Sequence, residues 1–298
     1  MTATATSPLA TPIAAVPAGR RTSLLRSALR VRRAQVGLVL SAAVVLTALV
    51  GPYLAPYSPT DFVDIPFSPP SEAARFGTDY LGRDVLSRFL SGGTSLLWLS
   101  VLATVVGVGL GTLFGIVAGY VGGWRDELVM RVGDVVLAFP QVVVALLFLS
   151  IVGPSPWLLV VVVGVSHAPR VARVIRDATL AVVERDFIKA AEATGIRRSR
   201  IMAGEILPNV TGPLMVELGL RLTYSIGLVA ALSFLGLGLQ PPAPDWGLMI
   251  NENRIALTVQ PWAVVLPVLA IAVLTIGTNL VTDGLARASA GIDRGVSR

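Results

Sequence analysis

The sequence predicts an all-α polytopic membrane protein with six transmembrane helices. Three observations carry that prediction. Of the 298 residues, 54% are hydrophobic and 14% charged, with a mean hydropathy of +0.75. A soluble domain carries about a quarter charged residues, and hydrocarbon demands such a deficit because charge there is costly. Second, apolar segments near the ~20 residues needed to cross a bilayer recur along the chain, separated by proline- or arginine-rich stretches. Third, basic residues are unevenly divided between alternate connecting segments.

The elements follow in order. Residues 1–33, rich in Thr, Ala and Pro and then in Arg, read as a disordered tail. The first span, 34–55, is uncharged and ends at Pro52 and Pro56; the apolar run is long and no small-residue cleavage site follows it, which favours a retained span over a signal peptide. A proline-rich loop covers 57–93. The second span, 94–120, carries Gly107, Gly111, Gly115 and Gly119, a four-residue spacing that lines small residues on one stripe and allows close helix approach, within the subunit or between subunits. Residues 135–169 hold no formal charge with His167 neutral, too long a run for one span, and Gly153-Pro154-Ser155-Pro156 divides it. The third span is 130–151 and the fourth 156–174, whose Arg170, Arg173 and Arg176 reach toward headgroups. Spans five and six are 208–239 and 261–284, the fifth stopped by Pro241, Pro242 and Pro244. Trp246 and Trp262 read as outer interface anchors.

Orientation comes from the basic residues. With the N-terminus inside, the inner segments hold six in the tail, two after span two, eight between spans four and five and three at the C-terminal end; the outer segments hold Arg75, Arg83, Arg88 and Arg254. That asymmetry puts both termini in the cytoplasm and makes 170–207 a cytoplasmic loop.

Several chemistries are excluded or weakened. Without cysteine there is no disulfide or thiolate site. Lys189 is the single lysine and follows Ile188 rather than a glycine-rich turn, so no Walker loop exists and any ATP is bound elsewhere. A lone histidine makes a metal site unfavourable. The chain is basic but too apolar for a nucleic-acid binder. Asp134 and Asp283, the carboxylates near span ends, raise an intramembrane aspartyl protease as an alternative with one acid and one base; a stand-alone carrier or channel is another.

The loop at about 184–207 is the most informative segment. Asp186 can cap a helix starting at Phe187, and Gly195 suits the position just past its end. Phe187, Ala190, Ala191 and Thr194 share one face. That face suits insertion into a groove on another protein, or, with Arg197, Arg198 and Arg200, an amphipathic segment lying on the membrane.

This loop resembles the signature loop of ABC importer permeases, in which Glu-Ala-Ala is followed by three residues, Gly and a spacer ending in Leu-Pro. Ala190, Ala191, Gly195, Leu207 and Pro208 match, with Lys189 in place of the first glutamate. The run Phe76-Gly77-Thr78-Asp79-Tyr80-Leu81-Gly82-Arg83-Asp84 through Arg88 resembles the hallmark after the first span in dipeptide/oligopeptide/nickel permeases of the second-permease branch. Arg131–Asp134 to Phe139-Pro140, Leu232–Gly238 and Pro242–Gly247 are similar to further parts of that family. Val229, where glutamate is common, and the C-terminal end depart from the pattern.

The resemblance implies a type I ABC importer permease fold, in the plasma membrane of a prokaryote. The implied partners are a homologous permease subunit, two ATP-binding cassette ATPases and an extracytoplasmic substrate-binding protein, beside membrane lipid. It implies no enzyme activity and no cofactor in this chain, ATP and Mg being held by the ATPases. The implied ATPase-docking residues are Arg185, Asp186, Phe187, Lys189, Ala190, Ala191, Glu192, Thr194 and Gly195. The cargo expectation is di- or oligopeptides or a similar solute, nickel chelates and haem included. Two further sets have alternative readings. Glu217 and Arg221, at i, i+4 in span five, are candidates for the translocation path or a structural ion pair. Asp79, Arg83 and Asp84 are candidates for binding-protein contact or for charge pairing that folds the loop.

Overall fold

The computed structural model describes residues 31–289. The N-terminal tail lies almost wholly outside that range, as do the last nine residues. Five helices are long and apolar enough to cross a membrane: α1 (Arg32–Leu54), α2 (Val85–Val121), α5 (Pro156–Val183), α9 (Thr211–Phe234) and α11 (Trp262–Ser289). The third expected span is not one rod. It is a pair, α3 (Gly123–Ala138) and α4 (Gln141–Val152), bent by 81°. The break falls at Phe139-Pro140, where the proline lacks an N–H and forces its predecessor out of helical geometry; Phe139 has ψ 138°.

Short helices complete the chain. α6 (Asp186–Ala193) follows α5 after two residues. α7 (Arg198–Ile201) runs through a π turn at Met202–Ile206 into α8 (Leu207–Asn209). α10 (Trp246–Asn253) lies between α9 and α11.

Helix α2 has 37 residues, about 55 Å at 1.5 Å per residue, against ~30 Å of hydrocarbon. It starts earlier than its apolar run because Asp84 caps it, accepting from the Ser87 N–H at 2.8 Å. Its glycine stripe faces α5 within the chain. A Cβ at Gly107 would lie 2.6 Å from the Gly164 carbonyl oxygen, at Gly115 2.6 Å from that of Ala172, and at Gly119 2.9 Å from that of Arg176. Bare glycines thus let the two backbones touch over most of their length, and van der Waals packing of this kind joins helices in lipid.

Span five ends earlier than its prolines suggest. Gly236, at φ +81°, closes α9: its N–H donates to the Ser233 carbonyl and that of Leu237 to Leu232, at 3.0 and 2.9 Å. These are the paired bonds of a Schellman stop, so residues 237–245 form a separate turn region. Trp246 is not an interface anchor either. It is fully buried, stacked on Phe89 at 5.5 Å, and its indole N–H donates to the Phe89 carbonyl at 2.8 Å. Trp262 is 39% exposed beside Phe76.

Candidate coupling surface and polar groups of the membrane domain

Helix α6 begins at Asp186, with Arg185 at the N-cap and no side-chain cap bond. The expected cap is therefore displaced by one residue; Asp186 acts in the first turn, where a carboxylate complements the helix dipole. The other end follows the sequence. Gly195 has φ +76°, its N–H donates to the Glu192 carbonyl at 3.0 Å, and the Ile196 N–H to Ala191 at 3.2 Å. Thr194 Oγ1 donates to the Ala190 and Ala191 carbonyls.

The side chains divide cleanly. Ile188 is fully buried in an apolar cluster with Val182, Ile201, Ile206 and Val210, and Ala191 packs against it. Arg185, Asp186, Phe187, Lys189, Ala190, Glu192, Thr194 and Gly195 are exposed, Phe187 by 40%. Sequence reasoning missed Ile188, although its three-residue spacing to Ala191 was the available signal. The helix is thus pinned from behind and presents an aromatic ring beside small residues.

At the opposite end, the two motif-bearing loops meet. Arg83 Nε donates to Asp79 Oδ2 at 2.7 Å, and Arg88 contacts the same oxygen at 3.3 Å. Glu252 of α10 accepts from Arg88 at 3.0 Å and from the Tyr80 hydroxyl at 3.0 Å, with Arg83 at 3.4 Å. Two arginines and two carboxylates balance, and burial raises the Glu252 carboxyl pKa while both arginines lower it. Asp245 caps α10 through the Leu248 N–H and accepts from Ser95 Oγ at 2.7 Å; burial raises its pKa. The side chains of Asp79, Arg83 and Asp84 therefore point into the cap and hold it together. Arg88, Tyr80 and Glu252 were not singled out from sequence, because Glu252 lies 164 residues from its partner Arg88.

Between the ends, Glu217 and Arg221 pair at 2.9 Å on α9, both buried, with the guanidinium over the Tyr224 ring. His167 Nε2 and Ser225 Oγ are 3.1 Å apart; Thr104 Oγ1 donates to Ser225 at 3.0 Å, and Gln141 lies 3.4 Å from His167 Nδ1. A polar chain thus crosses α4, α5, α9 and α2. Asp134 is exposed and paired with Arg173, and Asp283 is exposed on α11. Among the described residues no His, Asp and Glu cluster could hold a metal.

A set of candidate membrane spans, a short helix rooted at one end and a charge-locked cap at the other define a polytopic membrane domain. Comparison places it more narrowly. Residues 111–291 match the family "Binding-protein-dependent transport system inner membrane component", and the chain belongs to that family. Residues 23–70 match the N-terminal transmembrane domain of oligopeptide transport permease C. The chain is 35% identical over 252 residues to the dipeptide transport system permease protein DppC of Alkalihalophilus pseudofirmus, covering 84% of this chain and 83% of that one. It is 37% identical over 235 residues to the glutathione transport system permease protein GsiD of Pectobacterium atrosepticum, covering 78% of each. GsiD of Escherichia coli is 36% identical over 243 residues, covering 81% of this chain and 80% of its own. The protein is thus the multi-pass inner-membrane permease component of an ABC importer, with ATP hydrolysis in separate subunits. Membership replaces the carrier and protease alternatives.

Proposed function

We propose that the chain imports di- or oligopeptides, glutathione-like peptides included, as one half of a permease pair served by two ATPases and a binding protein. The cargo reading rests on the dipeptide and glutathione permeases that the chain resembles. Coupling rests on one observation: α6 exposes Phe187, Ala190, Glu192 and Gly195 while Ile188 roots it in the membrane domain. The docking surface is Arg185, Asp186, Phe187, Lys189, Ala190, Ala191, Glu192, Thr194 and Gly195. ATPase closure moves α6 as a rigid peg and switches the pathway between inward- and outward-facing states. The basic residues of 170–200 support a cytoplasmic position for this end and for both termini.

The cap then faces the binding protein. Asp79, Arg83 and Asp84 support that contact by fixing the loop, and exposed Phe62, Ile65 and Ile255 supply its surface. Glu217 and Arg221 border the pathway as a neutralised pair below exposed Tyr224.

The test is reconstitution of the affinity-purified complex in proteoliposomes, with uptake of labelled dipeptides and glutathione. Uptake that needs ATP and binding protein is expected, and Gly195→Asp should abolish it while the chain still inserts. Wild-type uptake by that variant would remove the docking role; failure of every peptide to compete would remove the cargo reading alone.

A further inference from the structure

Two adjoining spaces lie beside α6. One is an apolar groove of about 590 Å³ between α2, the π turn and α9, with Val108, Gly109, Leu113, Met202, Leu207 and Leu214 in its walls. The other is a polar pocket of about 680 Å³ over Thr194–Arg200, walled by Arg197 and Arg200. Ser199 lines both, so the two adjoin at that residue.

The groove follows α2 from Val105 to Val117. That is about 18 Å at 1.5 Å per residue, close to the roughly 15 Å of half a hydrocarbon core. Val105 and Leu113 are exposed, so it opens sideways, toward lipid. It ends where the arginines begin. Arg197, Arg198 and Arg200 are exposed and form no ion pair among the described residues, whereas Arg173 and Arg176 on neighbouring α5 each have an aspartate. Against Glu192 and Glu205, the nearest acids in sequence, the three guanidinium groups leave an excess of positive charge. A slot one leaflet deep with excess positive charge at its mouth is complementary to an acyl chain below an anionic headgroup.

We propose that this composite site binds one anionic phospholipid, with an acyl chain in the groove and the phosphate at Arg197, Ser199 and Arg200. Ile196, just past the end of α6, also lines the headgroup pocket, so the lipid braces the segment that follows α6 against α2 and α9. Coupling thereby becomes sensitive to membrane charge.

The test uses the full complex in nanodiscs of phosphatidylcholine carrying a trace of photoactivatable phosphatidylglycerol, with labelled peptides mapped by mass spectrometry. Labelling of the segments 105–117 and 202–218 is expected, reduced about tenfold by excess phosphatidylglycerol and unchanged by phosphatidylcholine or inorganic phosphate. A Cβ on Gly109 meets nothing within 4 Å, so Gly109→Leu fills the groove without disturbing the helix and should remove the label. Arg197→Gln with Arg200→Gln should erase the preference for phosphatidylglycerol and leave weak, unselective labelling. Label that ignores competition and both changes means boundary lipid only and overturns the proposal. Absence of label in the wild type, with a cross-link from position 109 to a second permease chain, overturns it in favour of a protein-covered groove. Loss of ATPase from the complex in the arginine variant, with lipid preference intact, assigns the arginines to protein docking and overturns it as well.

Discussion

Replacing Ile188 with alanine tests whether the coupling helix is held from behind. The side chain has no accessible surface and sits among Val182, Ile201, Ile206 and Val210. Truncating a buried isoleucine to alanine costs about 2–5 kcal/mol, the spread reflecting how far the cavity collapses. An eight-residue helix has little stability of its own in water, so nearly all of that cost falls on docking of α6 against α5 and the π turn. At about 1.4 kcal/mol per tenfold, the undocked population rises by about 30-fold to several thousand-fold. The assay is amide hydrogen exchange across 186–196 in the purified complex, where the N–H groups of Thr194, Gly195 and Ile196 report the helix end. Exchange there should accelerate at least ~30-fold by this arithmetic, with α2 and α5 unchanged, and uptake per ATP should fall. Ile188→Val, costing about 0.5–1.5 kcal/mol, should fall between. Acceleration below about threefold in the alanine variant, well under the smallest value the cavity cost allows, would refute the anchoring argument.

Other perturbations probe the remaining parts. Gly115→Leu should block assembly of α2 with α5, since its Cβ alone would sit 2.6 Å from a carbonyl oxygen, whereas Gly204→Ala enters open space and should leave yield and melting temperature unchanged; a stable Gly115→Leu protein would contradict the packing. Glu217→Leu, which leaves Arg221 buried and uncompensated, should cost about 3–5 kcal/mol, and adding Arg221→Leu should recover much of it in a thermal unfolding series; equal loss in both would show the pair is not coupled. The cap should respond to pH through Asp245 and Glu252. Each carboxyl is raised by burial, so the folded cap holds its protons to higher pH than the unfolded chain, and these groups lower stability as pH rises through the raised values. Asp245→Asn should weaken that dependence, measured as cap hydrogen exchange against pH; a profile identical to wild type would exclude Asp245 as a source.

Much of the architecture is written in the sequence because lipid imposes long uncharged runs, and the places where structure departs from it are places where a local rule yields to packing. The span boundaries of α9 follow Gly236 rather than Pro241, since a left-handed glycine satisfies the last carbonyls before any proline is reached. The third span breaks at Pro140 because hydropathy is blind to a missing N–H. Helix α6 and its stop at Gly195 were legible, being local. Ile188 was not, because its single three-residue spacing to Ala191 is too short a pattern to stand out in a loop rich in exposed residues. The cap was least legible: Asp79, Arg83 and Arg88 read as loop charges until Glu252 arrives from the far end of the chain.

The coupling proposal depends on how little slack lies between the two ends. Only Glu184 and Arg185 separate α5 from α6, and the Glu184 N–H still donates to the Leu180 carbonyl. Displacement of α6 therefore carries α5 with it. Helix α5 cannot slide on α2, because the glycine contacts from Gly107 to Gly119 place backbone against backbone, where a shift meets carbonyl oxygens rather than flexible side chains. Helix α2 in turn reaches the cap, where Arg88, fully buried, joins it to Glu252 of α10. A push at Phe187 is thus delivered to the opposite end through two helices locked as one body, while the bent α3–α4 pair is held on α5 by side chains, through the ion pairs of Arg173 and Arg176 and the Gln141–Ser166 hydrogen bond, rather than by backbone against backbone. That contrast assigns the rigid part of the motion to α2 and α5 and the yielding part to α3 and α4.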